Sequence, residues 1–413
     1  MSNVYVAGIG MTQFGRLMDL SVYDMVQKAV GLALEDAGAD VSMIGAAFYG
    51  TATNGTLQGQ HSIAGPIAMR RCGFQGIPVM TVENACATGS SAFNLAVQAV
   101  KAGTADIAIA VGAEKMNVPD KAKMFAVFDS GWDVSTVEQN KATLLALGEG
   151  VVPPPGSVSD RPYSVFMDVY AAISRSHMKR YGTTQRQIAA VAAKNHQHSV
   201  HNPLAQYRDP CTIEQVLASP AITYPLTLMM CSPISDGAAA AIVCNDEGLK
   251  RLNGAGGRAV KVLASVLRTG VEHSADQPEQ GIAHLAARAA YDIAGVAPSD
   301  IDVAEVHDAS AMGEILNAEA LMLAAFGEAG PAAERGDFSI GGRIPINPSG
   351  GLESKGHPIG ATGLGQIHEL VTQLRGEAGQ RQVEGARLAI QENGGGLYGI
   401  EEAVAAVTIL GRI

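Results

Sequence analysis

The chain has 413 residues, of which 47% are hydrophobic and 17% are charged, so it can bury a large core in about two or three domains. Its formal net charge of −11 argues against nucleic acid as the main partner. Its five cysteines are odd in number and none has CxxC spacing, which indicates a reduced protein with neither a disulfide framework nor a zinc site.

The first part of the chain alternates strand and helix patterns. A strand pattern begins at Val4 with no basic and apolar leader before it, and no later apolar run reaches membrane-spanning length. We therefore expect a cytoplasmic protein without a membrane span. A helical pattern over residues 29–37 precedes a strand pattern over 44–50, and such alternation predicts α/β layers around a mixed sheet.

Cys86 lies between a strand pattern and an apolar-periodic helix, in the run NACATGSS over residues 84–91. Small neighbours leave its sulfur uncrowded, and the partial positive charge of a helix N-terminus favours the nucleophilic thiolate. The alternative is a buried structural cysteine, which is the usual state of a lone cysteine.

Residues 116–222 interrupt this alternation. They contain a proline-rich run at 152–156 and helical patterns over 165–181 and 184–199. A segment of this size predicts an inserted lid or substrate-binding subdomain. Its basic side chains form either a solvated helix face or an anion site for a phosphorylated ligand: Lys179, Arg180, Arg186 and Lys194.

The second half repeats the organisation of the first. A helical pattern over 286–294 precedes a strand pattern over 301–307, and residues 361–365 open a helix as residues 87–91 do. Such self-similarity predicts two duplicated halves that face each other, although two α/β segments can also resemble each other by chance. We predict an N-terminal half over 1–115, completed by 223–248, an insertion over 116–222, and a C-terminal half over 249–413.

Three further clusters carry polar chemistry. His307 follows a strand pattern in EVHDAS, His357 lies in the glycine-lined loop KGHPIGATG, and a glycine triplet at 394–396 follows another strand. Each alone is compatible with a structural role, as a hydrogen-bonded histidine or a turn. With Cys86 they supply a nucleophile, two imidazoles and backbone N–H donors, which are the parts needed for acyl transfer through a thioester.

Together with CSPISDGAAA over residues 231–240, these motifs resemble the thiolase superfamily along essentially the whole chain. They are most similar to the sterol carrier protein type of thiolase. The resemblance implies a five-layered αβαβα fold of two duplicated halves with an inserted loop domain. It also implies a homodimer or a dimer of dimers, coenzyme A thioesters as substrates, and neither a permanently bound cofactor nor a metal.

The same resemblance implies roles for the residues of the motifs. Cys86 resembles the acyl-accepting nucleophile, and His357 resembles the base that activates it. With a water held by His307, His357 would line a first oxyanion hole. The backbone N–H groups of Cys86 and of Gly394 or Gly395 would form a second one.

Coenzyme A binding is implied at two further places. Ser232 resembles a serine beside the pantetheine arm, and Met167 of the insertion is a candidate wall of the same site. Acyl selectivity would depend on large side chains of the insertion, which either line a pocket or pack the lid: Met116, Met124, Phe125, Phe128, Trp132 and Met167.

The chain departs from the family pattern at the second acid/base. Thiolases that make or break a carbon–carbon bond use a cysteine just before the glycine run or directly after His-Asp, and here these positions are Glu392 and Ala309. Glu392 could replace the thiol if burial raised its pKa, or it could point to solvent or cap a turn. Ser310 and Tyr398 are weaker candidates.

Three functions stay open at this point. The favoured one is a coenzyme A-dependent acyltransferase with an acyl-Cys86 intermediate. The second is a carbon–carbon lyase that cleaves acyl-CoA side chains by retro-aldol chemistry, assisted by a small partner with an OB fold and a zinc ribbon. The third is a non-catalytic acyl-CoA or lipid-binding subunit, against which the presence of both Cys86 and His357 argues.

Overall fold

The computed structural model describes residues 3–253 and 257–413. Within these ranges the chain forms eleven strands. They are β1 (Tyr5–Met11), β2 (Ala46–Gly50), β3 (Val79–Val82), β4 (Ile107–Glu114), β5 (Ala221–Thr223), β6 (Leu226–Thr227), β7 (Gly237–Cys244), β8 (Val260–Thr269), β9 (Val303–Glu305), β10 (Leu388–Gly395) and β11 (Val404–Arg412).

The same ranges contain fourteen α-helices. They are α1 (Val22–Ala37), α2 (Asn54–Gln58), α3 (Ala64–Arg71), α4 (Thr88–Lys101), α5 (Lys121–Ala126), α6 (Val137–Ala146), α7 (Val165–Tyr181), α8 (Gln185–Ser199), α9 (Ile213–Ala218), α10 (Asp246–Arg251), α11 (Ile282–Ala294), α12 (Ala311–Ala320), α13 (Ala329–Arg335) and α14 (Thr362–Arg375). No helix in the described ranges is long and apolar enough to cross a membrane.

Nine of the strands form one mixed sheet in the order β3-β2-β4-β7-β1-β8-β11-β10-β9. In the first half the strands lie in the order β2-β4-β7-β1, and the equivalent strands of the second half follow in the opposite order, β8-β11-β10-β9. The parallel pair β2–β4 of the first half corresponds to the parallel pair β9–β10 of the second. The two runs meet where β1 and β8 pair, with Tyr5 opposite Lys261 and Val6 opposite Val260. The two duplicated halves predicted from the sequence are therefore confirmed.

The core divides the molecule into five layers because side chains along a strand alternate between the two faces of the sheet. In the first half Ile109 packs with α1 and α3, whereas its neighbour Ala110 packs with α4 and α14. In the second half Ala389 packs with α4 and α14, whereas Ile390 packs with α11 and α12. The helices α4 and α14 thus form a central layer between the two half-sheets.

The first helix of each half begins earlier than the periodicity predicted. The helix α1 begins at Val22 because Ser21 and Asp24 form a capping box, in which each side chain accepts the other residue's backbone N–H. The helix α11 begins at Ile282, whose backbone N–H is accepted by the carboxylate of Glu401 at 2.7 Å. The first of these signals is local, whereas the second arrives from a residue more than a hundred positions away.

The segment between β4 and β7 contains α5 to α9 and the separate two-stranded sheet β5–β6. The helices α7 and α8 begin at residues 165 and 185, close to the predicted starts, and the side chain of Thr184 caps α8. The division of the chain at residues 116, 222 and 248 stays a prediction.

Candidate active site

Cys86 lies on a single 3-10 turn, Ala85–Ala87, which connects β3 to α4. The sequence predicted a helix start, and the α-helix itself begins two residues later at Thr88. Ala85 has a φ of 47°, a left-handed conformation that costs a non-glycine residue roughly 1–3 kcal/mol. The backbone conformation beside the candidate nucleophile is therefore imposed by its surroundings and is not the one that an alanine prefers.

The end of β10 supplies those surroundings. A Cβ added at Gly395 would lie 2.6 Å from the backbone nitrogen of Ala87 and against the carbonyl oxygen of Asn84. Only a glycine allows the two backbones to approach this closely. The glycine run is thus partly within the strand, not after it as predicted, and it packs directly on the turn that carries Cys86.

Two histidines flank the sulfur. The Sγ of Cys86 and one ring nitrogen each of His307 and His357 all lie within 4.8 Å of one another, and the two rings are 5.3 Å apart between centroids. His307 follows β9 and His357 precedes α14, so a half-sheet and the central layer each contribute one of them.

His357 has a fixed ring orientation. Its Nδ1 is 2.7 Å from Oγ1 of Thr362, and its backbone N–H donates to Oγ of Ser235 at 2.9 Å. Burial and the nearby charges of His307 and Lys355 hold its pKa well below the usual value. His357 is therefore neutral at physiological pH and can accept a proton from Cys86.

His307 has the opposite electrostatic setting. Its Nδ1 is 3.1 Å from Oε1 of Glu402, its carbonyl accepts from Asn317 at 2.9 Å, and its Nε2 has no hydrogen-bond partner among the described residues. Burial alone would lower its pKa, but the interactions with the nearby Cys86 and Glu402 raise it well above the usual value. His307 is therefore held in its charged form.

Glu392 is fully buried, so the alternative that it points to solvent does not describe this chain. Its Oε2 accepts the backbone N–H of His307 at 3.1 Å, whereas its Oε1 has no partner among the described residues. Burial and the Glu402 carboxylate raise its pKa well above the usual value. The carboxyl group lies behind the backbone of His307, and Glu392 is absent from the wall of the cavity that contains Cys86.

Asp308, the second residue of the His-Asp motif, also faces away from the sulfur. Its carboxylate accepts the backbone N–H of Leu352 at 2.9 Å and the amide of Asn195 at 3.1 Å. Through these bonds it ties the end of β9 to α8 and to the turn that leads to His357. The motif therefore has one member that faces Cys86 and one that anchors the loop.

A cavity of about 330 Å³ opens over Cys86. Both candidate coenzyme A-binding residues, Ser232 and Met167, line it. So do Gly395 and Gly396, whereas Gly394 lies in β10 beside the carboxylate of Glu402 and does not reach the cavity wall. Of the large insertion side chains, these line the cavity: Met116, Phe125, Phe128 and Met167.

The basic side chains of the insertion are not brought together. Lys194 is buried in an ion pair with Glu314 at 2.8 Å, and Arg186 pairs with Glu214 at 3.0 Å. Arg180 donates to backbone carbonyls of the 275–276 turn. No anion site forms from these groups within the described residues.

Comparison with known proteins places the chain in a family. Residues 4–218 match the family described as "Thiolase, N-terminal domain", and residues 268–412 match "Thiolase C-terminal domain-like". The acetyl-CoA acetyltransferase of Methanothermobacter thermautotrophicus is 39% identical over 419 residues, which cover 100% of both proteins. The chain belongs to the thiolase family. It is therefore an enzyme of the acyltransferase class, and the interpretation as a non-catalytic binding subunit is not retained.

Two further comparisons support the assignment of this chain to the thiolase family. Human sterol carrier protein 2 (Homo sapiens) is 37% identical over 404 residues, covering 95% of this chain and 70% of that protein. The solved structure of the Ltp2-ChsH2(DUF35) aldolase has a TM-score of 0.78 at 24% identity, covering 99% of this chain and 98% of that one. The latter likeness concerns the fold, which confirms the predicted αβαβα architecture.

Sequence reasoning missed two residues of the site. Glu402, whose side chain is 20% exposed, reaches His307 from the loop between β10 and β11. Tyr170 of α7 lines the cavity, and burial raises the pKa of its hydroxyl well above the usual value. The only available signal for Glu402 was an acidic pair shortly after the glycine run, and such pairs are common in solvated turns.

Proposed function

We propose that this thiolase transfers acyl groups between coenzyme A thioesters through a covalent acyl-Cys86 intermediate. The observation that carries the proposal is the meeting of the Cys86 sulfur with two imidazoles in one cavity, within 4.8 Å of one another. A nucleophile, a base and hydrogen-bond donors in a concave site are the requirements of acyl transfer.

In the first step, Nε2 of His357 takes the thiol proton while the sulfur of Cys86 attacks the thioester carbonyl. The charged ring of His307 and a water held by it stabilise the oxyanion, together with His357. When the tetrahedral intermediate collapses, the carbon–sulfur bond to coenzyme A breaks and the charged His307 ring gives its proton to the departing thiolate, while His357 keeps the thiol proton until the acyl group leaves Cys86. The acyl group then remains on Cys86.

The second oxyanion hole is assigned to the backbone N–H of Cys86 and that of Gly395, one of the two predicted glycines. Gly395 is preferred to Gly394 because it lines the cavity and packs on the Cys86 turn. Ser232 and Met167 are proposed to contact the pantetheine arm and the acyl group. Glu392 is proposed to hold the backbone of His307 in place, because its carboxyl group accepts a hydrogen bond from the backbone N–H of His307.

The test is the intact mass of the protein after incubation with acetyl-CoA or a longer acyl-CoA. We expect one acyl adduct, which free coenzyme A removes. Cys86→Ala should form none, whereas Cys72→Ala, which changes a partly exposed cysteine outside the cavity, should behave as the unchanged protein. Absence of any adduct in the unchanged protein would contradict the proposal.

A second candidate is retro-aldol cleavage of a β-hydroxyacyl-CoA, which needs a base and an oxyanion donor but no acyl-cysteine. It is favoured by the donor group around Cys86, which contains two imidazoles and no second thiol among the described residues. The two candidates differ in one variant. Turnover of a β-hydroxyacyl-CoA that persists in Cys86→Ala would support the lyase, and complete loss would count against it.

The remaining expectations belong to the same proposal. Coenzyme A thioesters are the proposed substrates, without a permanently bound cofactor. A homodimer or dimer of dimers, a small OB-fold partner with a zinc ribbon, and a cytoplasmic location stay predictions.

A further inference from the structure

We propose that His307, oriented by Glu402, is the acid/base that moves the α-proton of the second acyl group, in place of the thiol that thiolases use there. The inference rests on the proposed function, because it concerns the second half of the same reaction. His307 is the catalytic residue of the pair, and Glu402 is a positioning residue.

The first argument is distance. One ring nitrogen of His307 lies within 4.8 Å of the Cys86 sulfur, and its Nδ1 is already engaged by Glu402. Nε2 has no partner among the described residues and belongs to a side chain that lines the cavity. An α-carbon that bonds to the carbonyl of an acyl-Cys86 must sit close to this sulfur, so Nε2 can reach its proton.

The second argument is orientation. Oε1 of Glu402 is 3.1 Å from Nδ1 of His307, so the Nδ1 proton is held by the carboxylate and Nε2 is the nitrogen that exchanges protons with the cavity. The carboxylate of Glu402 occupies the space that a Cβ at Gly394 would need, so any side chain there would displace it. The absence of a side chain at position 394 therefore allows the Glu402 carboxylate to lie beside His307.

The third argument is the position of the rival groups. Glu392 is fully buried behind the His307 backbone and does not line the cavity. Cys231 lines the cavity, but its sulfur donates to the carbonyl of Thr227 at 3.4 Å, and burial raises the pKa of this thiol. Ala309 has no proton to give, and Tyr398 is 61% exposed.

The protons balance in both directions. In cleavage, the bond between the α- and β-carbons of a β-ketoacyl-CoA breaks, and its electron pair passes to the α-carbon as an enolate. Nε2–H of His307 protonates that carbon, and the neutral ring then takes the S–H proton of the incoming coenzyme A as its thiolate attacks the acyl-Cys86. Condensation runs the same steps backwards, with neutral His307 removing the α-proton.

The negative charge that the Cys86 sulfur gains when His357 takes its proton couples the two half-reactions. Interaction with Cys86 is among the contributions that raise the pKa of His307. Because an acylated sulfur carries no charge, formation of the thioester weakens the hold of His307 on its proton. The ring is thus charged while the first oxyanion forms and can become neutral when an α-proton has to be removed.

The experiment measures two rates on the same preparations. One is acylation of Cys86 by acetyl-CoA, followed by intact mass. The other is exchange of the α-protons of acetyl-CoA for deuterium in D₂O, followed by mass spectrometry of the recovered acetyl-CoA. The variants are His307→Gln, which keeps a hydrogen-bond donor but cannot titrate, Glu402→Gln, and Glu402→Asp as the conservative replacement.

We expect His307→Gln to lose about 10²–10⁴-fold in exchange while an adduct on Cys86 still forms. Glu402→Gln should lose about 10²-fold in exchange and shift the alkaline limb of the acylation pH profile to lower pH, because the carboxylate charge no longer supports the His307 cation. Glu402→Asp should recover part of both. The matched control is Glu401→Gln, the adjacent carboxylate, which caps α11 and should leave both rates unchanged.

Exchange that is unaffected in His307→Gln and Glu402→Gln, while Cys86 still acylates, would overturn the inference. Loss of exchange confined to Glu392→Gln or Cys231→Ser would also overturn it and identify the replacement. If the unchanged protein does not acylate at all, the proposed function fails instead. Thermal unfolding of each variant separates a catalytic loss from a loss of folded protein.

Discussion

Gly395→Ala tests whether the contact between β10 and the Cys86 turn positions the nucleophile. The added Cβ would lie 2.6 Å from the nitrogen and 3.0 Å from the Cβ of Ala87, whereas ordinary contacts between such atoms are about 3.5–4.0 Å. The turn must therefore move by about 1 Å, and a misplacement of this size costs about 10²-fold in rate. Overpacking of this kind also costs about 1–3 kcal/mol of stability.

The assay is the rate of Cys86 acylation by acetyl-CoA, with urea unfolding measured on the same protein. Gly31→Ala is the control, because it lies in α1 with nothing within 4 Å of the added Cβ; it should leave the rate unchanged and raise stability by about 0.5–1 kcal/mol, since alanine is the better helix former. An acylation rate for Gly395→Ala within about twofold of the unchanged protein would refute the reasoning, since it would mean that the Cys86 turn tolerates displacement.

Two further predictions concern charge. The acylation rate should be flat across neutral pH. At acidic pH it should fall only well below 6.5, where His357 becomes charged and cannot accept the thiol proton, and at alkaline pH only well above 6.5, where His307 loses its proton. A rate that changes with a midpoint near pH 6.5 would contradict the assignment. Lys355→Met should destabilise the fold by about 3–5 kcal/mol in urea unfolding, because it leaves the fully buried Glu305, now 2.9 Å from the Lys355 ammonium, without a counter-charge; a loss below about 1 kcal/mol would show that Glu305 takes up a proton instead.

Much of the architecture was predictable from the sequence because it depends on local periodicity. The strand patterns at 44–50 and 301–307 became β2 and β9, which occupy matching places in the two halves. The helix starts were less predictable. Ser21 could have been recognised as a cap for α1, but the cap of α11 comes from Glu401, and no local pattern connects those two positions.

The site was predictable where a motif supplies the side chain and unpredictable where the fold supplies it. Cys86 and His357 each stand in a short run of small or glycine residues, and His307 stands at the end of a strand pattern, so each could be singled out. Glu402 stands in an ordinary acidic turn, and its importance follows from the β10–β11 hairpin, which folds the carboxylate back over Gly394. Glu392 shows the converse. Its place in the motif made it a candidate, but the sequence did not reveal that its carboxyl group is buried behind the backbone of His307.

The division of labour between the two imidazoles follows from their neighbours rather than from their chemistry, which is the same. His357 contacts a hydroxyl and lies near the cations of His307 and Lys355, so it stays neutral. His307 contacts a carboxylate and the nucleophile, so it stays charged. Opposite shifts in two adjacent groups assign one as base and the other as acid. A site with this split needs no second thiol, provided that the charged ring can release its proton once Cys86 is acylated, and the coupling between His307 and Cys86 supplies that condition.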